Sequence, residues 1–139
     1  MRWMMAGGLV AALAVPAQAQ DWPRGIAFVQ APEMSSGVGT GHTPEEGFAA
    51  ATRQCVDGGA RAEDCFPTNW CQPAGWSVDL FVMHQEGVHW HEVVCGLPSR
   101  AAAEGVAAVL CDPEIRDWLI ECAPVQVYDE AGIAQLAQD

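Results

Sequence analysis

Apolar and polar residues alternate most regularly in the middle of the chain, where the pattern is typical of a β-hairpin. Trp76–His84 carries Val, Leu and Phe, Gln85–Gly87 supplies a turn, and Val88–Cys95 returns with Val, Trp and His. Two such runs separated by a Gly-containing turn predict paired antiparallel strands. Shorter apolar runs predict further strands at Gly25–Gln30, Trp118–Ile120 and Val125–Tyr128, and Gly37–Gly41 is predicted as a strand or a loop.

An alanine-rich segment beginning after Thr43 predicts the first helix. Thr43 is a favourable N-cap, Pro44 fits the first helical position, and Glu46 can complete a capping box. The segment continues to Cys55 and meets a stop signal at Gly58–Gly59. We therefore predict a helix from residue 44 to this glycine pair.

The same arrangement returns 56 residues later, with Ser99 as the N-cap of a second alanine-rich helix. Each predicted helix ends at a cysteine, and another cysteine follows: Cys55 precedes Cys65, and Cys111 precedes Cys122. Together with the strands, this predicts a β-β-α-β unit that occurs twice. The expected fold is a small α+β domain with a mainly antiparallel sheet and two alanine-rich helices.

The C-terminal part allows two interpretations. Asp112–Glu114 can cap a short helix that carries Ile115 and Trp118, in place of the strand proposed there. From Asp129 the sequence is polar, and we expect residues 129–139 to form a tail that frays. The single folded domain is then predicted to occupy residues 20–128.

The first nineteen residues have the features of a secretory signal peptide. Arg2 provides a positive charge, Met4–Val15 is apolar, and Ala17–Ala19 is a cleavage site of the small-x-small type. The apolar stretch is shorter than the ~20 residues that a membrane span needs. We expect cleavage near Ala19 and export to the periplasm or the extracellular space.

Six cysteines follow this segment, an even number that predicts three disulfides in an oxidising compartment. Spacing alone allows fifteen pairings. If the repeat is real, its symmetry favours Cys55–Cys65 and Cys111–Cys122. Cys71 and Cys95 then remain, and their bond would join the two units.

The N-terminal unit also resembles a family of small secreted bacterial domains of unknown function. The resemblance is carried by Gly25–Phe28, a glycine-rich stretch, Thr43–Glu46, and the alanines that lead to Cys55 and then Cys65. It covers residues 25–71 and, more weakly, 93–122. It implies export and a disulfide-linked α+β fold, and it assigns no catalytic residue.

This chain differs from that family in two places. Cys65–Pro67 stands where the family has an apolar strand, and the hairpin is rich in histidine. The hairpin is therefore the feature from which a function specific to this chain can be sought.

Composition excludes several classes of function. With 50% hydrophobic and 17% charged residues the chain is globular rather than disordered. All six basic residues are Arg, and the missing lysine excludes pyridoxal-phosphate enzymes and Walker-A nucleotide sites. A net charge of −12 disfavours nucleic acid as a partner.

Three histidines in the hairpin form the one candidate metal site. His89 and His91 share a strand face, and a two-residue loop would place His84 opposite His89. Three imidazoles on one face would suit Zn²⁺ or Cu²⁺. A three-residue loop, with Gly87 as a left-handed bulge residue, would instead pair His84 with Val88 and turn it to the other face.

Catalytic patterns are weaker. Ser35–Gly37 is not a nucleophile elbow, and Asp79, Glu86 and Glu92 are interpreted as solvated carboxylates rather than a catalytic pair. Trp90, between two histidines, is the tryptophan that we expect to be exposed for binding. The preferred hypothesis is an exported non-catalytic domain without a cofactor that binds an envelope protein or a small ligand. A metal-binding protein and a small hydrolase are the alternatives.

Overall fold

One order of elements occurs twice along the chain: strand, strand, helix, strand. The computed structural model describes residues 22–137, so the predicted signal peptide lies outside the described residues. The first unit comprises β1 (Gly25–Ala31), β2 (Ser35–Gly41), α1 (Pro44–Asp57) and β3 (Phe66–Cys71). The second comprises β4 (Trp76–His84), β5 (His89–Leu97), α2 (Arg100–Leu110) and β6 (Leu119–Tyr128). A short 3₁₀ turn, Ala62–Asp64, precedes β3.

Each unit forms its own antiparallel three-stranded sheet with its first strand in the centre. The strand orders are β2-β1-β3 and β5-β4-β6, so the two sheets have the same topology. The predicted α+β class and the predicted β-β-α-β repeat are confirmed by this arrangement.

Alternating residues of β1 divide the core into layers. Ala27 and Val29 face α1, where they contact Ala51 and the Cys55 side chain. Ile26 and Phe28 point the other way. There they meet side chains of the second sheet, and this space between the sheets is called the inter-sheet layer below. In the second unit the side chains packed against α2 are Val78, Leu80 and Val82.

The helices begin and pack as their sequences predict. Thr43 Oγ1 accepts a hydrogen bond from Glu46 N (3.2 Å), and Ser99 Oγ accepts one from Ala102 N (3.1 Å). The uncertain segment Gly37–Gly41 is a strand. A β-carbon at Gly37 or at Gly39 would overlap the backbone of α1, so these glycines let the helix lie directly on β2.

Three disulfides join the elements: Cys55–Cys65 and Cys111–Cys122 within the units, and Cys71–Cys95 between β3 and β5. The pairing favoured by the repeat is therefore confirmed, including the bond between the two units. Three disulfides in a chain of this length indicate an oxidising compartment, either extracellular or periplasmic. Within residues 22–137, no helix combines the length and apolarity needed to cross a membrane.

The structure differs from the sequence analysis in three places. Phe66–Cys71 pairs with β1 as a strand, although its sequence departs from the apolar pattern. Of the two interpretations after Asp112, the structure has the strand and not the helix: Asp112–Glu114 begins only turns, and the two predicted short strands form one continuous strand, β6. The tail is hydrogen-bonded to β6, where Gln126 Oε1 accepts from the backbone N–H groups of Gln135 (3.0 Å) and Leu136 (2.7 Å).

Candidate ligand-binding cleft

The loop of the β4–β5 hairpin decides which histidines share a face. His84 N donates to Val88 O at 2.9 Å, and Gly87 N donates to His84 O at 2.7 Å. Gly87 has φ of 90°, in the left-handed region that favours glycine. The loop therefore has three residues, and the register places Met83, not His84, opposite His89.

The predicted three-histidine metal site is not assembled. His89 and His91 lie on the face that looks toward the first sheet, whereas His84 lies on the other face and stacks on Trp118 with ring centroids 5.2 Å apart. Among residues 22–137, no group of three or more His, Cys, Asp or Glu side chains is placed to hold a metal ion. The arrangement fails because the one-residue longer loop turns His84 to the opposite face.

Trp90 is partly buried rather than fully exposed. Its ring stacks on Trp118 at 5.8 Å, and Arg116 lies over Trp118 at 5.6 Å. Glu92 accepts two hydrogen bonds from the Arg116 guanidinium, each of 2.8 Å. This group packs on the same side of the second sheet as α2, away from His89 and His91.

A cleft opens between the two sheets on the side of His89 and His91. One opening has a volume of about 210 Å³, and a second, of about 430 Å³, lies toward β6 and the C-terminal tail. Ser36 and His91 line both openings. The first opening is also lined by Gln30, Glu33, Met34, Ser35, Phe81 and His89. The second is also lined by Gln54, Asp79, Gln126 and Tyr128.

A partly buried ion pair lies in the wall of this cleft. His91 Nδ1 and Asp79 Oδ1 are 2.7 Å apart, and the side chains are 32% and 9% exposed, respectively. The hydrogen bond to Asp79 raises the pKa of His91 above its ordinary value, although partial burial acts in the opposite direction. The imidazole is thus held in its charged form over a wider pH range than a free histidine.

The interpretation of Asp79 as a solvated residue is wrong. Asp79 is central in its strand and buried, whereas Glu86 lies in the exposed loop and Glu92 lies on the opposite sheet face. The sequence offered one sign of this burial. Asp79 lies between Val78 and Leu80 in a strongly apolar strand, and a carboxylate that such a strand buries requires a hydrogen-bonding or charged partner.

Gln30 fixes the backbone at His91. Its Oε1 accepts from His91 N and its Nε2 donates to His91 O, both at 3.0 Å. Asn69 Nδ2 donates in the same way to Val93 O at 3.2 Å. Side chains of the first sheet therefore bond the backbone of β5, and they hold His91 in position with respect to both sheets.

The rim of the cleft carries a second histidine–carboxylate contact. His89 Nδ1 lies 3.6 Å from Glu33 Oε1, and the His89 ring packs on Phe81 with centroids 5.3 Å apart. Glu33 has φ of 62°, which is uncommon for a residue other than glycine, in the turn between β1 and β2. At the far side, burial and the negative charge of Asp79 raise the pKa of Tyr128 to about 12.

This geometry can bind and orient a small polar molecule, and it can transfer a proton at His91. Sequence reasoning found His89 and His91, although with a different role, and missed the contributions of Gln30, Asp79 and Tyr128. No family model, curated protein or solved structure matches this chain.

Proposed function

We propose that the chain is an exported, disulfide-stabilised, non-catalytic domain that binds a small polar ligand in the inter-sheet cleft. The observation that carries the proposal is the Asp79–His91 pair: the two side chains are 2.7 Å apart, and His91 lines both openings of the cleft. Concave sites with a few fixed polar groups among apolar residues are the usual form of small-molecule sites.

The pair is more readily explained by binding than by stability. Moving two charges out of water costs free energy, and packed apolar side chains of similar volume often stabilise a core as well or better. Apolar side chains, among them Ile26, Phe28 and Val93, fill the neighbouring part of the inter-sheet layer. A perturbed histidine in a cleft is, in addition, a common feature of functional sites.

A ligand screen by protein-observed NMR tests the proposal. The oxidised chain from residue 20 onward would be titrated with representative small acids, sugars, amino acids and amines. We expect at least one class to shift the amide signals of Gln30, Ser36, Phe81 and His91 in a saturable manner.

Two variants distinguish the cleft from the rest of the surface. His91→Gln is expected to abolish these shifts, and His84→Gln, on the opposite sheet face, to preserve them. Shifts that are equal in the two variants, or the absence of any saturable shift in the cleft, would contradict the proposed site.

We also propose that export follows cleavage after Ala19, as the signal-peptide pattern predicts. The exported protein is then expected to begin at Gln20. Intact-mass measurement of protein recovered from the periplasm or medium checks this, and a chain that still carries Met1 there would contradict it.

A small hydrolase is the second candidate, favoured by one arrangement. A histidine whose Nδ1 is bonded to a buried aspartate can act as a general base through its other nitrogen, and Ser36 lines the same cleft. Hydrolysis of p-nitrophenyl acetate above the buffer rate, lost in both Ser36→Ala and Asp79→Asn but kept in Ser35→Ala, would support this candidate over simple binding.

A further inference from the structure

We propose, resting on the ligand-binding function above, that the group received by the cleft is a carboxylate, bound at Nε2 of His91. The remainder of the ligand would be a small apolar group that packs against Phe81. The ligand class is therefore a small organic acid.

The first step is the direction of the imidazole. Its Nδ1 faces the carboxylate of Asp79, so Nε2, on the other edge of the ring, is directed away from that partner. Across residues 22–137, no protein group makes a hydrogen bond with Nε2. His91 lines both openings, so this N–H is available to a molecule in the cleft.

The second step is the charge of the donor. The Asp79 carboxylate, 2.7 Å from Nδ1, favours the cationic form of the imidazole, and a cationic N–H forms its shortest and strongest hydrogen bonds with anionic oxygen. Glu33, the carboxylate that lines the first opening, lies 3.6 Å from His89. Ser35 and Ser36 line the opening beside His91 and provide hydroxyl donors for a second carboxylate oxygen.

The third step is the apolar side of the cleft. Phe81 is opposite His91 in the register, and Met34, which is 59% exposed, lies at the rim. A bare inorganic anion would leave these surfaces in contact with water. An acid with a small apolar group covers them, and the volume of about 210 Å³ suits a ligand of one ring or a short chain.

Benzoate is a suitable probe, with benzamide as its uncharged counterpart of the same shape. Imidazole nitrogen signals would be followed by long-range ¹H–¹⁵N NMR at pH 6.5 during titration with each compound. We expect benzoate to shift His91 Nε2 in a saturable manner, acetate to bind more weakly, and benzamide to have no effect on this nitrogen.

Variants of the pair and of the opposite face make the test specific. His91→Gln is expected to weaken benzoate binding by about tenfold or more, since it removes the charged donor. Asp79→Asn is expected to weaken it by a smaller factor, since it leaves the imidazole in place and removes only the carboxylate that favours its cationic form. His84→Gln is expected to bind benzoate as the unaltered protein does. Preserved amide dispersion in Asp79→Asn, which is close to isosteric, shows that a loss of binding is not a loss of folding.

The inference is overturned if benzamide binds as well as benzoate, or if benzoate binding is unchanged in His91→Gln. If benzoate fails but a sugar or an amine shifts the cleft signals in the wider screen, this inference is wrong and the ligand-binding function stands. If no compound of any class shifts those signals, both are wrong.

Discussion

The two halves of the inter-sheet layer are built by the same strands and have opposite character. On β1, Phe28 belongs to the apolar half and Gln30 to the polar half; on β5, Val93 is apolar and His91 polar. The Cys71–Cys95 bond lies on the apolar side. A step of two residues along each strand therefore separates a part in which apolar side chains and a disulfide pack the sheets together from a part in which polar side chains line the cleft.

Removing Phe28 gives the largest expected effect, because it is 3% exposed and makes an edge contact with Tyr128 at 5.8 Å. Phe28→Ala is expected to lower the free energy of unfolding by about 3–5 kcal/mol. Urea denaturation measures this. Phe66→Ala is the control, since Phe66 is 58% exposed and should cost well under ~1 kcal/mol. Equal losses would mean that the apolar half does not hold the sheets together.

Tyr128 connects the two halves and can be observed directly, since it is the only tyrosine of the chain. Burial and then the charge of Asp79 raise its pKa to about 12. Spectrophotometric titration of the phenol should give this midpoint. Asp79→Asn should lower it, but only in part, because burial is the larger cause. A midpoint near 10, the ordinary tyrosine value, would mean that the phenol is open to water.

Breaking the Asp79–His91 pair should lower the free energy of unfolding by less than removing the Phe28 side chain does. Asp79→Ala is expected to destabilise by about 1–2 kcal/mol, because water reaches the partly exposed imidazole that is left behind. A double-mutant cycle with His91→Ala measures the coupling between the two side chains. A coupling of zero would mean that the short contact contributes nothing to the fold.

The contact between Asp79 and His91 also predicts that the free energy of unfolding depends on pH. The pKa of His91 is raised from 6.5 in the folded chain, so its stabilising contribution is complete below that value and is lost as pH rises through the folded pKa. Unfolding free energies measured from pH 5.5 to 9 should fall along this range more steeply in the unaltered protein than in Asp79→Asn. His84→Gln should keep the steeper profile; parallel profiles for the unaltered protein and Asp79→Asn would contradict the assignment.

The smallest effect is expected at Ser77. Its hydroxyl is fully buried, and within residues 22–137 it makes no hydrogen bond. Ser77→Ala removes an unsatisfied polar group, so the change in unfolding free energy should lie between zero and about 1 kcal/mol of stabilisation. A destabilisation larger than ~1 kcal/mol would reveal a partner for this hydroxyl.

Local signals predicted the elements well, and their limits are physical. Caps at Thr43 and Ser99 located both helices, and the repeat located all three disulfides. The strand Phe66–Cys71 was not predicted, because it lies at the edge of its sheet with exposed residues and its sequence has no alternation of apolar and polar positions. The order of the tail was not predicted, because it depends on hydrogen bonds to the Gln126 side-chain amide, which composition does not reveal.

The site was harder to predict because it depends on register and on contacts between the units. Both loop lengths at Gln85–Gly87 were compatible with the apolar pattern, and only the folded hairpin places His84 away from His89 and His91. Gln30 lies sixty-one positions before His91, and no periodicity connects them. Sequence patterns describe single elements, whereas the cleft is formed where two repeated units meet.

The disulfide pattern has a consequence for how the protein matures. The six cysteines are bonded in consecutive pairs, the first with the second, the third with the fourth and the fifth with the sixth, so the three loops follow one another and none encloses another. A chain that enters an oxidising compartment from its N-terminus thus presents every cysteine with its native partner first. Its native bonds can form in order of emergence, with no exchange between wrongly paired thiols.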